Sequence, residues 1–250
     1  AQWLQDRPEV EWVNYPGLTG HATHEVATRV LTGGGFGGMI TFGIKGGADA
    51  GRTFASVGLR ETQTIGRVVV HPRSPDVVWV AAVGALFGPS AERGVYKSSD
   101  GGRSWRRTLF VDENTGATDV VIHPANPHIL FAATYTRRRT AWGFAGGGPG
   151  SGIWKSTDGG ERWTRLAGRG LPAGTMGRIG LDIARSNPDV VYAQIEVAPD
   201  KESIVSGVQA PWPGGGGQDV PPDSSVSGIW RSADGGQTWQ TFMTGDYRRA

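Results

Sequence analysis

Short apolar runs separated by turn residues recur along the chain from about residue 64. Val68-Val69-Val70 and Val77-Val78-Trp79-Val80 flank the turn His71-Pro72-Arg73-Ser74-Pro75-Asp76. Val120-Val121-Ile122 and Ile129-Leu130-Phe131 flank His123-Pro124-Ala125-Asn126-Pro127, and a third pair of runs, Ile179 to Leu181 and Val190 to Tyr192, surrounds Pro188. After each pair come a loop, a Gly-led run (Gly94-Val95-Tyr96-Lys97, Gly152-Ile153-Trp154-Lys155, Gly228-Ile229-Trp230-Arg231), an Asp-Gly-Gly turn and a Trp-bearing run. β-Branched and aromatic runs bounded by Gly, Pro, Asp and Asn are strand signals, and short turns between them make hairpins. The order never changes, so the pattern predicts three units of four antiparallel strands, over about 64–112, 116–168 and 175–244.

Repeated four-stranded antiparallel units are the signature of β-propeller blades. The turn aspartates are 58 (Asp100 to Asp158) and 76 (Asp158 to Asp234) residues apart, more than the roughly 40–50 residues of a minimal blade. The excess falls between the second and third strands, from Ala85, from Thr136 and from Val197. In an up-and-down blade these long loops share one face, and the Asp turns lie on the other. The fold class expected is all-β: a partial propeller of three blades with a short α/β segment before it. Rings close typically with four to eight blades, so a fragment with open edges is expected, edges that missing blades or another chain would cover.

Composition narrows the chemistry. The 41 Gly and 15 Pro among 250 residues suggest low complexity only if evenly spread, whereas ten Trp and the punctuated runs argue for folded structure. Absence of cysteine removes disulfides, thiolate metal sites and a cysteine nucleophile. A net charge of +2, with cations mostly Arg and no polybasic tail, argues against nucleic acid as main partner. No window approaches a membrane span, and the first residues carry no signal-peptide pattern.

Three repeated aspartates invite a catalytic or calcium reading, but turn chemistry accounts for them. In Ser-x-Asp-Gly-Gly-x-x-Trp the carboxylate accepts backbone N–H bonds within its own turn, the glycines supply positive φ, and the ring is buried below. Ser98, Asp100, Gly102 and Trp105, then Ser156, Asp158, Gly160 and Trp163, then Ser232, Asp234, Gly236 and Trp239 are therefore expected to be structural. No second carboxylate stands at calcium-loop spacing. These octapeptides resemble the Asp-box, or BNR, repeat, and the wider run from about 48 to 250 is similar to bacterial Asp-box propellers of the sortilin N-terminal-like group, often labelled glycosyl hydrolases. That resemblance implies a propeller from an exported protein, extracellular or periplasmic. It does not by itself imply catalysis, because one fold hosts many functions.

Residues 1–47 follow a different pattern, with a helix-like stretch from His24 to Leu31, a Gly-rich turn and an apolar strand. Val13-Asn14-Tyr15-Pro16-Gly17-Leu18, His21, His24 and Gly37 to Gly47 resemble the C-terminal subdomain of pyridoxal-phosphate enzymes of Cys/Met metabolism, above all O-acetylhomoserine sulfhydrylases. The part of that family holding the Schiff-base lysine and the phosphate site has no counterpart, so no cofactor is expected. Ala48 to Phe54 fits both parents: aligning Asp49 with Asp100 puts Phe54 on Trp105 and predicts that residues 43 to 60 form the outer hairpin of a half blade. A chimera joined near residue 47 is expected.

Candidate chemistry lies on the long-loop face and near the channel entrance. Arg67, Asp119 and Arg178 align at the start of the innermost strand, as an anion- or sugar-binding cluster or as ion pairs locking neighbouring blades. Asp112 or Glu113 with Asp119 is the one carboxylate pair that a glycosidase reading offers. Trp142 and Phe144 beside Arg137, Arg138 and Arg139, and Trp212 in the next long loop, either stack on a sugar or peptide or fold back over their own loops. His71 and His123 are turn residues, and His21 and His24 lack a third ligand, so no metal is expected. The expected function is a non-enzymatic module binding peptide or glycan through the long-loop face. The alternatives are a glycoside hydrolase and the inactive remnant of a pyridoxal-phosphate C–S enzyme.

Overall fold

The computed structural model describes residues 55–139, 144–198 and 227–244, with short strands at 31–32, 39–40 and 45–46. β1 (Leu31–Thr32) pairs antiparallel with β2 (Met39–Ile40) across the Gly-rich stretch, and β3 (Lys45–Gly46) pairs with β4 (Ala55–Ser56). Residues 24–30 of the expected helix lie outside the described residues, and Leu31 opens β1. A single 3₁₀ turn, Arg60–Thr62, leads into the repeats.

Three antiparallel sheets follow. The first runs β5 (Ile65–Val70), β6 (Val78–Ala82), β7 (Gly94–Ser98) and β8 (Arg106–Leu109) in spatial order. The second runs β9 (Thr115–Ile122), β10 (Leu130–Arg139), β12 (Gly152–Ser156) and β13 (Thr164–Leu166). The third runs β14 (Thr175–Ile183), β15 (Val191–Ala198), β16 (Gly228–Ser232) and β17 (Gln240–Thr244). The stretch after Thr136, expected as a loop, instead prolongs β10 and returns as β11 (Phe144–Gly146), with Arg137 opposite Gly146 and Arg139 opposite Phe144. Gly146 and its neighbours carry little side-chain bulk, which lets the return strand pair closely.

The half-unit takes the register that its alignment predicts. Lys45 opposes Ser56 and Gly46 opposes Ala55, just as Tyr96 opposes Arg107 and Lys97 opposes Arg106. The next residue after that hairpin, Val57, accepts the Trp105 indole N–H on its carbonyl at 2.7 Å.

The apolar cores lie between units. Trp79, Ala81, Val95 and Leu109 of the first meet Ala117, Val120, Leu130 and Ala132 of the second. Phe131 and Ile153 of the second meet Leu171, Ile179, Leu181 and Trp239 of the third. Val57 and Leu59 lie against Ile65, Val80 and Tyr96. Each large apolar side chain so buried contributes about 1.5–3 kcal/mol, and no unit can make that gain alone. β9 is therefore buried or half-buried along its whole length, while β14, with nothing beyond it among the described residues, alternates buried and exposed positions.

Candidate functional site

The first strand of every unit carries a β-bulge, placed alike in the first two and nearer the start of the strand in the third. Gly66 is unpaired between Ile65 and Arg67, Thr118 between Ala117 and Asp119, and residues 177–178 between Met176 and Ile179. A bulge re-aims the side chain beside it. Gly66 is required because a Cβ there would sit 2.4 Å from the Thr118 carbonyl oxygen of the next unit.

Asp119, freed by its bulge, ties three units together. Its Oδ1 accepts from the N–H of Val120 at 2.9 Å, its Oδ2 from the N–H of Leu181 in the third unit at 2.9 Å, and Arg67 Nη1 of the first lies 3.5 Å away. Burial pushes the Asp119 carboxyl up, and the Arg67 charge and the two N–H bonds oppose that. Of the three aligned residues, the structure joins Arg67 and Asp119 as an inter-unit pair. Arg178 stands apart, its backbone N–H donating to Glu196 Oε2 at 3.1 Å.

The long-loop face is organised by a residue that no repeat pointed to. Arg93 is 1% exposed and spends its guanidinium on backbone carbonyls: Nε on Glu113 at 2.8 Å, Nη1 on Val83, and Nη2 on Ala85 at 2.9 Å and Gly88 at 3.2 Å. One planar cation thereby shapes the loop 83–93 and fastens it to the turn between first and second units. The Ser90 N–H also donates to the Glu113 carbonyl, at 2.8 Å. Burial lowers the Arg93 pKa first, and the nearby Arg137 and Arg138 lower it further. Burial likewise lowers that of Arg137, with repulsion from Arg139 and Arg178 adding to it. Arg93, Arg137, Arg138, Arg139 and Arg178 thus share one electrostatic field on this face, and Arg138 Nη1 donates to Asn114 Oδ1 at 3.3 Å. The cue available in sequence was Arg93 directly before Gly94, the start of a predicted strand. Trp142 and Trp212 lie outside the described residues, and Phe144 stands in β11.

The candidate carboxylates belong to separate networks. Asp112 folds onto its own turn, accepting from the Asn114 N–H at 2.7 Å and the Thr115 hydroxyl at 2.9 Å. Glu113 enters through its carbonyl oxygen. Asp119 is held instead by the N–H groups of Val120 and Leu181 and by Arg67, a network separate from that of Asp112.

On the opposite face the three Asp turns repeat one geometry. Ser98, Ser156 and Ser232 each accept the N–H of the second glycine at 2.8 Å and donate to the turn aspartate at 2.8, 2.8 and 2.7 Å. Hydrogen bonds, led by the Ser104 hydroxyl, lower the Asp100 pKa to about 2. Asp158 is lowered chiefly by the Arg162 N–H, and Asp234 chiefly by the Thr238 hydroxyl. Each turn also plugs into the preceding unit. Trp79 Nε1 and Lys97 Nζ both donate to the Gly159 carbonyl, at 3.1 and 2.9 Å, and Lys155 Nζ donates to that of Gly235 at 2.6 Å. The second glycine leaves room for the ring beneath, since a Cβ on Gly160 would stand 2.6 Å from Trp79 and one on Gly236 2.6 Å from Phe131. Among the described residues no three His, Asp or Glu gather as metal ligands.

Solved structures share this arrangement. The GH74 xyloglucanase from Xanthomonas campestris superposes with a TM-score of 0.55 at 16% identity, over 82% of this chain and 28% of that one. The GH74 enzyme of Niastella koreensis gives 0.54 at 18% identity, over 82% and 27%. The units are β-propeller blades. Identities this low speak to fold alone, and the chain spans under a third of either structure.

The N-terminal segment is similar to something else. The family model "Cys/Met metabolism PLP-dependent enzyme" matches residues 1–63. O-acetyl-L-homoserine sulfhydrylase 1 of Thermus thermophilus is 38% identical over 82 residues, 30% of this chain and 18% of that protein. Homocysteine/cysteine synthase of Saccharomyces cerevisiae is 51% identical over 45 residues, 18% of this chain and 10% of the enzyme. The chain therefore spans less than a fifth of these curated relatives, and the match runs past residue 47, through β4 and the 3₁₀ turn. Pyridoxal phosphate needs a lysine for its Schiff base and groups to hold its ring and phosphate. Lys45 is the one lysine of the matched segment and lies in a two-residue strand in register with Ser56. These residues do not fit the cofactor.

Proposed function

We propose that this chain is a non-catalytic binding module that takes a peptide or a glycan on the long-loop face of its blades. The observation that carries the reading is the cluster of Arg137, Arg138, Arg139 and Arg178 on that face, beside the buried Arg93 that shapes its loop, while Asp112 and Asp119 are committed to structural bonds. Fixed guanidinium groups recognise planar and anionic acceptors through paired hydrogen bonds. The Asp turns read as Asp-boxes of the sortilin-like, exported group, and the N-terminal match as an inactive remnant of a pyridoxal-phosphate enzyme joined to the propeller. Glycan and peptide arrays probed with the full chain test the proposal. Retained ligands are expected to bind at least tenfold more weakly to Arg138→Ala, and an empty array overturns the reading.

The propeller fold shared with a xyloglucanase favours a second reading, glycoside hydrolysis. It predicts reducing-sugar release from xyloglucan that is lost in Asp119→Ala or Glu113→Ala. The commitment of Asp112 and Asp119 to hydrogen bonds within the fold argues for no release.

A further inference from the structure

Across the second and third strands, every blade sets an aromatic residue directly opposite a cation: Trp79 opposite Lys97, Phe131 opposite Lys155, and Tyr192 opposite Arg231. In the first two blades this pair clasps the turn of the following blade. The lysine Nζ lies 5.5 Å from the Trp79 ring centre and 5.4 Å from that of Phe131, and it donates to the first-glycine carbonyl. Both rings are 1% exposed because the turn covers them. The third pair has no described blade beyond it. Tyr192 is half-buried, and Phe242, edge-on to it at 6.0 Å, is 60% exposed. Asp182, which stands opposite Tyr192 as Val121 stands opposite Phe131, is exposed, whereas Val121 packs into the next blade.

The shape of the missing occupant follows from the two filled sockets. It is a turn whose second glycine lies over the aromatic ring, because a side chain there would collide with it. Four Asp-x-Gly segments of the chain keep glycine at this position. Those of Gly160 and Gly236 are seated on Trp79 and Phe131, and that of Gly102 lies against Val57, where an added Cβ would stand 3.1 Å from the Val57 side chain. The fourth, Asp49-Ala50-Gly51, matches in sequence and lies outside the described residues, between β3 and β4, whose strands share the register of the blade hairpins.

We infer that the outward face of the third blade, centred on Tyr192 and Arg231, is a docking surface for a second copy of this chain, entered by that copy's Asp49-Ala50-Gly51 turn. The contact is head to tail and continues the blade-to-blade interface from one copy into the next, so it propagates around a ring or along a filament. In the first socket Arg106 and Lys97 both pair with Glu161 of the incoming turn. The equivalent positions in the new contact are Gln240, Arg231 and Arg52. Gln237 holds that place on the second socket, so an acid is not required, and Arg52 facing Arg231 weakens the contact by a like-charge repulsion that Arg52→Glu removes.

The native chain has no cysteine, so single cysteines report the contact directly. Gln240→Cys mixed with Arg52→Cys is expected to give a covalent heterodimer under mild oxidation. Light scattering of the full chain is expected to show mass rising with concentration. Phe242→Glu is expected to stay monomeric with an unchanged circular dichroism spectrum, and Arg52→Glu to associate roughly fivefold more tightly by restoring the exposed pairing. Several results overturn the inference: a monomer at all concentrations, cross-linking of Gln240→Cys only to itself, association insensitive to Phe242→Glu, or an internal cross-link within a monomer of the double variant. Loss of ligand binding on the long-loop face leaves these readouts unmoved, so the two proposals fail separately.

Discussion

Trp105, Trp163 and Trp239 hold one position in three blades but satisfy their indole N–H groups differently. Trp105 donates to the Val57 carbonyl and Trp163 to the Thr108 hydroxyl at 3.2 Å, whereas Trp239 Nε1 is buried without a partner. Leu166 stands in the second blade where the first has Thr108, and it offers no acceptor. Replacing Trp105 or Trp163 by Phe is expected to cost about 1 kcal/mol more than Trp239→Phe, because only the first two lose a hydrogen bond; urea unfolding of the three variants measures it. The turn aspartates predict an acid response. Their folded pKa values are lowered, so the stability they supply is present above the ordinary carboxylate range and is lost as pH falls through the folded values, about 2 for Asp100. Thermal melts between pH 5 and 2 are expected to drop over that window, and the drop to shrink in Asp100→Asn.

Strands, hairpins and the half blade were legible because their cues are local: turn residues, apolar runs and an eight-residue motif seen three times. The bulges were not, since Thr118 breaks the pattern of Gly66 and Gly177, and the constraint at Gly66 is a carbonyl supplied by another blade. Arg93 was missed because its partners are backbone oxygens scattered over thirty residues, which leave no mark in side-chain pattern. The extension of β10 into β11 was equally hidden, as Gly-rich sequence reads as loop. The clasp of aromatic and cation lay in plain view at equivalent positions, but its acceptor, a carbonyl in the next blade, did not. At this scale Arg93→Lys is the informative change. A point cation on a flexible stem cannot satisfy four carbonyls in a plane, so the loop 83–93 is expected to be cleaved markedly faster in limited proteolysis, while the Asp-turn face stays protected.

For the whole molecule, stability is a sum over blade interfaces rather than the property of one core. Asp119 bonds to all three blades, so Asp119→Ala strips Arg67 of its partner and leaves the Leu181 N–H without this acceptor. Calorimetry is expected to show the unfolding transition broadening, with the van't Hoff enthalpy falling below the calorimetric one as blades uncouple. The β3–β4 hairpin carries a further consequence. It adopts the register of a blade's outer strand pair, although no inner strand pairs with it among the described residues. An outer pair therefore takes its form from its own turn, with contacts only a few residues apart, whereas β15 and β16 meet across some thirty residues and β5, β9 and β14 meet only between blades. Local contacts close first. Pulse-labelled hydrogen exchange is expected to protect amides bonded within the hairpins β9–β10, β12–β13 and β14–β15 before those that pair β15 with β16, so that each blade forms as two hairpins before it closes.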